Sequence, residues 1–299
     1  MTESALKDIE ERTDMERLCD LHLHSTCSDG SLPPEEVAEA AWAAGLAAAI
    51  LTDHNTIAGV EAFQKAGAAR GIETAAGMEI SCEYREQEVH ILALFLPEAG
   101  YPAVRHWLAG WEAGRQHSHE ELARRLTEAG LPVNYKELEQ KYSGSRINRV
   151  HFARELCAAG YCRTVSEAFE RYLDPEHGLY QPAPRPSMEE AIASIRSWKA
   201  LPVLAHPPVS LPEDWLPLYV QEAARVGAAA AETRYSTYTE AQQQLMQRLC
   251  REKGLLESGG SDFHGSNKPN IAIGRGTGTL RVPYALFSQL KERNQKWNG

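Results

Sequence analysis

Six of the eleven histidines stand at or inside short apolar runs: His22, His24, His54, His90, His206 and His264. Carboxylates accompany them at Asp29, Asp53, Glu79 and Asp262. Taken singly, each has an ordinary explanation. An H-x-H pair on a strand can be two exposed imidazoles, a lone His90 a satisfied core residue, and Asp53 the cap of the helix that follows. Taken together, four strand ends carrying histidine beside carboxylate, with His90 on a fifth strand, are hard to explain by packing. Imidazole mixed with carboxylate suits borderline divalent ions such as zinc, manganese or iron. Carboxylates can bridge two such ions, which then generate hydroxide at neutral pH and stabilise an in-line displacement. The chemistry this pattern points to is metal-assisted hydrolysis, most naturally of a phosphate ester.

The elements that must position these residues alternate in kind. Leu18 to His24 places Cys19, Leu21 and Leu23 on one face and Asp20, His22 and His24 on the other. After the Ser28-Asp29-Gly30 turn, Pro33-Pro34-Glu35-Glu36 opens an alanine-rich helix ending near Gly45. Strands follow at 47–51, 72–76 and 88–96, with a helix over 57–70 stopped by Gly71. From about 101 to 187 every signal is helical (104–128, 135–142, 149–159 and 165–172), bracketed by proline-rich stretches. Strand-helix alternation then resumes: strands at 201–205, 228–232 and 255–258, helices at 216–226 and 239–253. The expected organisation is a polar tail over 1–17, a discontinuous α/β domain with parallel strands over 18–100 and 188–299, and an all-helical insertion over 101–187 that caps the substrate. Sites in such folds gather at the C-terminal strand ends.

Composition sets limits on partners. The net charge of −10 provides no basic footprint for long nucleic acid, so an anionic substrate must be drawn by metal ions or a few arginines. Six scattered cysteines without a C-x-x-C pair fit a reducing compartment. With no apolar run long enough to span a bilayer and no signal-peptide pattern, the expectation is a cytoplasmic enzyme without a membrane association or an obligate protein partner.

The motifs His22-Leu23-His24 with Ser28-Asp29-Gly30, Thr52-Asp53-His54-Asn55, Gly77-Met78-Glu79-Ile80-Ser81, His90, Ala205-His206-Pro207 and Gly260-Ser261-Asp262-Phe263-His264-Gly265 resemble, in order, those of the PHP (polymerase and histidinol phosphatase) phosphoesterases. The resemblance implies a distorted (β/α)7 barrel with two to three divalent ions, manganese first and zinc, iron(II) or magnesium as alternatives. It implies one metal on His22, His24, Glu79 and Asp262, a second on Glu79, His90 and His206, and a third on Asp29, His54 and His264. Asp262, Glu79, His206 and Asp53 are the expected catalytic residues, Asp53 as an orienting group or proton shuttle. Asp20 is expected to orient an imidazole.

Arg149-Val150-His151-Phe152-Ala153-Arg154 resembles the R-x-H-F-A-R segment of the TrpH/YciV-like subgroup, similar to 3′,5′-nucleotide bisphosphate phosphatases, some of which trim short RNA from the 5′ end. That resemblance implies a small phosphorylated nucleotide as substrate, its phosphate held by Arg149 and His151. Two departures weaken binding of a second phosphate. Glu176-His177-Gly178-Leu179-Tyr180 replaces a segment that often carries lysine, and Pro208-Val209 stands where the subgroup often has Gly-Arg. Alternatives are a histidinol-phosphate phosphatase and, from another class, a non-catalytic metal-binding accessory module for nucleic acid. Of the remaining candidates, His106, His117 and His119 read as a polar helix face, Trp107 and Trp111 as packing more than a base-stacking platform, with stacking of a nucleobase as the alternative, and Cys27 as a spectator thiol.

Overall fold

The computed structural model describes residues 17–143 and 147–298; the expected tail over 1–17 lies outside them but for its last residue. Seven strands form one sheet in sequence order: β1 (Cys19–Leu23), β2 (Ala48–Leu51), β3 (Glu73–Tyr84), β4 (Gln87–Leu94), β5 (Leu201–Ala205), β6 (Ala230–Tyr235) and β7 (Leu256–Gly260). The sheet curls into a nearly closed barrel. Beyond β7 the chain returns to β1, where Asp262 N–H donates to the His22 carbonyl (2.9 Å) and His24 N–H to that of Phe263 (3.0 Å). This is the expected (β/α)7 barrel.

The expectation of parallel strands needs one correction. β4 runs antiparallel to both β3 and β5, while the remaining pairs are parallel. β3 is accordingly far longer than the expected 72–76 run, because it turns directly into β4 through Arg85 and Glu86 (φ 51° and 65°). A two-residue hairpin turn needs positive φ at both central positions, usually Asn-Gly or Asp-Gly, and Arg-Glu carries no such signal. The hairpin brings Glu79, near the middle of β3, within reach of His90 on β4.

The strands contribute side chains to different cores. Cys19, Leu21, Ile50, Leu92 and Val203 meet Leu286, Phe287 and Leu290 of the C-terminal helix. Leu23, Ala49 and Leu51 instead pack on α1 (Pro34–Ala43) and α2 (Val60–Arg70) through Val37, Ala41 and Phe63. Strands buried on both faces read as unbroken apolar runs, which is why these were legible. Proline at the first turn of α1 and left-handed Gly71 behind α2 mark the expected boundaries.

Between β4 and β5 lie α3 (Tyr101–Glu128), α4 (Tyr135–Lys141), α5 (Arg149–Ala158) and the short α6 (Val165–Ala168), before α7 (Met188–Ser197) rejoins the barrel. Leu122, Leu126, Leu138, Phe152, Leu156 and Leu173 form an apolar cluster of this segment alone. The first turns of α3 belong to the barrel instead, with Val104 and Leu108 in the cluster around Ile80 and Ile91. No described helix is long and apolar enough to cross a membrane.

Candidate metal centre

The carboxylate of Glu79, fully buried on β3, lies at the centre of five imidazoles. Its Oε1 faces His90 Nδ1 (2.9 Å) and His206 Nε2 (3.0 Å). Its Oε2 faces His22 Nε2 (3.1 Å), His24 Nε2 (3.1 Å) and His54 Nδ1 (3.3 Å). Asp262 adds Oδ1 at 3.1 Å from His24 Nε2, and Asp29 faces His264 Nε2 (3.2 Å) and His54 Nε2 (3.8 Å). All nine residues expected as ligands therefore come together.

Their donor atoms fall into three groups, each within 4.8 Å: His22, His24, Glu79 and Asp262; His24, Asp29, His54 and His264; and His54, Glu79 and His90. The first group matches the expected first metal. The others redistribute the sharing: His24 joins the Asp29 group, and His54 rather than His206 lies with Glu79 and His90, although His206 contacts the same Glu79 oxygen.

The atoms fit a divalent ion for a specific reason. Several imidazoles anchor one nitrogen and aim the other inward. His22 Nδ1–H donates to Glu232 (3.0 Å), His264 Nδ1–H to the Asp262 carbonyl (2.9 Å), and His206 Nδ1 pairs with Ser210 Oγ (3.2 Å). A carboxylate or carbonyl can only accept, so the inward Nε2 of His22 and His264 is left with its lone pair. Both nitrogens of His24, with Nδ1 of His54 and His90, are buried without a hydrogen-bond partner in a setting where such atoms are rare. Convergent lone pairs and carboxylate oxygens are the donor set of a bound cation.

The charges respond to this crowding. Burial opposes a charged imidazole, yet the close carboxylates of Asp262, Glu79 and Asp29 push His24 up to about 9. Against the same burial, Glu79 and Glu88 push His90 up to about 10. Glu79 itself is held well below the carboxylate range by His54, His22 and His90 despite its burial.

Local backbone explains the motif glycines and the strand ends. A β-carbon at Gly260 would sit 2.4 Å from that of His22, and one at Gly30 2.5 Å from the His24 carbonyl oxygen. His206 and Asp262 themselves adopt left-handed φ values of 31° and 55°. That conformation costs a non-glycine residue roughly 1–3 kcal/mol and survives where its surroundings over-determine it. Here Glu232 Oε2 accepts the His206 N–H at 2.7 Å and the His22 carbonyl accepts that of Asp262.

Two expected roles are corrected. Asp20 does not orient an imidazole; its oxygens accept backbone N–H groups of His22, Ser261 and Gly274, tying down the loops behind β7. The imidazole-orienting carboxylate is Glu232, which sequence reasoning passed over although it stands, like the others, on a strand otherwise rich in alanine. Asp53 is no proton shuttle: Ser25 N–H (2.7 Å), Ser25 Oγ (2.6 Å) and Ser28 Oγ (2.6 Å) occupy its two oxygens, so it holds the loop from His24 to Gly30.

Asp29, His54 and His90 line a cleft of about 220 Å³ that is partly open to solvent. Its far wall comes from the helical segment. Arg149 lines it, with its guanidinium over the rings of Tyr180 (4.6 Å) and Phe169 (5.2 Å). Glu88 connects the two sides: Oε1 lies 3.4 Å from His90 Nε2, Oε2 accepts from Arg185 (2.7 Å), and Arg149 is 4.0 Å away. Burial would raise Glu88, but His90, Arg185 and Arg149 hold it down to about 2. Neither Glu88 nor Arg185 was expected. His151 lies behind the wall: it is buried, its Nδ1 accepts the Asn148 N–H in the capping box of α5, and its ring packs edge-on against Tyr142.

Lys268 and Tyr235 were also missed. Lys268 Nζ (2.6 Å) and the Tyr235 hydroxyl (2.5 Å) both donate to Asp262 Oδ2, leaving Oδ1 to the histidines. A lysine four residues beyond the last motif histidine carries no spacing signal of its own.

Comparison with known proteins agrees with this geometry. The PHP domain model matches residues 20–147. A 5'-3' exoribonuclease from Haemophilus influenzae is 31% identical over 84% of this chain and 91% of its own length. A 3',5'-nucleoside bisphosphate phosphatase from Chromobacterium violaceum is 28% identical over 92% and 96% respectively. Among solved structures, one from Bifidobacterium adolescentis assigned as a metal-dependent phosphoesterase superposes with a TM-score of 0.82 at 26% identity, covering 93% of this chain and 96% of that one.

Proposed function

The chain belongs to the PHP family of metal-dependent phosphoesterases, and within it we propose that this protein removes a phosphate from a small nucleotide, taking a 3′,5′-nucleoside bisphosphate to the 5′-monophosphate. The observation that carries the reading is that Asp29, His54 and His90 of the His/carboxylate cluster line one cleft together with arginines and aromatic rings. The residues over 101–187 form the substrate cap in this reading.

Divalent ions held by His22, His24, Asp29, His54, Glu79, His90, His206, Asp262 and His264 supply Lewis acidity and a nucleophile at neutral pH when bound; two to three ions, manganese first, fit the three donor groups. Glu79 is the shared carboxylate. Glu232 and Ser210 keep His22 and His206 turned inward, and Lys268 and Tyr235 fix which oxygen of Asp262 faces the cluster. Arg149 offers a planar, charge-assisted fork to a phosphate oxygen, with stacking on Tyr180 limiting its rotamers. His151 positions rather than contacts, by capping the helix that starts at Arg149. Arg185 offsets the lysine absent from 176–180.

The open side of the cleft favours a second reading, 5′-to-3′ trimming of short oligoribonucleotides, since a longer substrate can leave through it. A phosphate-release screen over nucleoside monophosphates, bisphosphates and short oligoribonucleotides with Mn²⁺ separates the two. Release of one phosphate per 3′,5′-bisphosphate, abolished in a folded Asp262→Asn variant, is the expected result. Phosphate release from no phosphoester, or unchanged turnover in that variant, defeats the assignment.

A further inference from the structure

The sequence of α3 places Trp107, Trp111, Arg115 and His119 four residues apart, and all four line the cleft. At 1.5 Å per residue the row extends about 18 Å, winding slowly around the helix because four residues slightly exceed one turn. Its ends are anchored differently. Trp107 packs edge-on against buried Trp198 of the barrel (5.4 Å between rings), whereas His119 lies against Phe152 in the cap cluster (5.8 Å). Trp111 is half-buried, and its ring contact among the described residues is Trp107, tilted by 58° at 6.0 Å.

His119 is the telling member. It is 4% exposed, and it stands among the residues that line the cleft. Burial and the nearby Arg115 charge push it down to about 3, so the imidazole is neutral and offers one donor and one acceptor. A neutral imidazole that meets the cleft can exchange water for the polar atoms of a ligand. Two indoles that meet the cleft, an arginine and a neutral imidazole together form a surface suited to a nucleobase: stacking from the indoles, edge hydrogen bonds from the imidazole.

We infer that this row on α3 is the nucleobase subsite, with Trp111 as the stacking platform and His119 as a reader of the base edge. The inference rests on the nucleotide reading above and adds to it that the cap selects substrates by their base. A 3′,5′-bisphosphate of an abasic ribose, which keeps both phosphates and lacks the base, is the discriminating probe.

Wild-type enzyme is expected to favour adenosine 3′,5′-bisphosphate over the abasic compound by about tenfold or more in kcat/KM, carried by KM. Trp111→Ala should bring that ratio close to one, and Trp111→Phe should restore most of it. His119→Asn should alter the ranking among the four bases by about fivefold. Independently of turnover, the nucleotide should quench tryptophan fluorescence of the wild type and the abasic compound should not, with the quench lost in Trp111→Ala. A Trp111→Ala variant that lowers both substrates alike, or a quench that survives it, overturns the inference. A wild type that binds and quenches with the nucleotide but hydrolyses neither compound sinks the phosphatase reading and leaves the base subsite standing.

Discussion

The two walls of the cleft are built in opposite ways. On the barrel side His22, His24, Glu79, His206, Asp262 and His264 are deeply buried while Asp29, His54 and His90 meet the cleft half-buried, most imidazoles are fixed through a second nitrogen, and two ligand candidates hold left-handed backbone. On the cap side Arg149, Trp107 and Trp111 are half-buried on helices, and Arg149 reaches Glu88 only at 4.0 Å. Strand ends of a barrel give precise, expensive positions suited to holding ions. Helix faces give adjustable positions whose partners can be exchanged for a ligand. In the proposed function the reaction belongs to the first wall and the choice of substrate to the second.

Substitutions ordered by expected effect test that division. Glu79→Gln removes the carboxylate that two of the three donor groups share, and turnover should fall about a thousandfold or more, read as kcat at saturating substrate with metal content measured in parallel. Near-normal kcat would mean the cluster is not the reaction centre. Glu232→Gln keeps the shape but weakens the hold on His22 and His206. Metal affinity should drop about 10- to 100-fold, seen in a Mn²⁺ titration of activity, with kcat recovering at high metal.

Crossing to the cap, the signature should change from kcat to KM. Arg149→Lys loses the fork and the ring stacking, and KM for the nucleotide should rise about tenfold with kcat little altered. A fall in kcat instead would place Arg149 with the chemistry. The smallest change is expected for Arg154→Ala, which breaks one bond from α5 to the Gly30 carbonyl (3.2 Å). A single such bond contributes about 0.5–1.5 kcal/mol, and KM should shift only severalfold. A larger effect would show that the cap's seat on the metal loop controls the site.

Much of the barrel side was legible because its constraints are local. Period-two alternation around His22 and His24, glycines forced by close approach at 30 and 260, and histidine beside carboxylate at strand ends are all properties of short segments. Glu232 carried the same strand signal but lacked a histidine neighbour to draw attention. The Arg85-Glu86 hairpin was invisible because its positive φ values rest on residues that seldom adopt them. Asp20 and Asp53 were legible as buried carboxylates near the cluster; which way their oxygens turned was not.

By itself, then, the sequence determined the reaction class, the nine side chains that gather in the cluster, and the presence of a helical segment between two parts of one barrel. Only the tertiary structure decided that His54 shares the Glu79 group, that Asp53 faces serines instead of the cleft, and that Trp107, Trp111 and His119 line the same cleft as Asp29, His54 and His90. The physical reason is the range of the interactions. Residue type and period fix what a segment can do and which face it presents. The partner of a buried oxygen, and the space in front of an indole, depend on chain brought there from a hundred residues away.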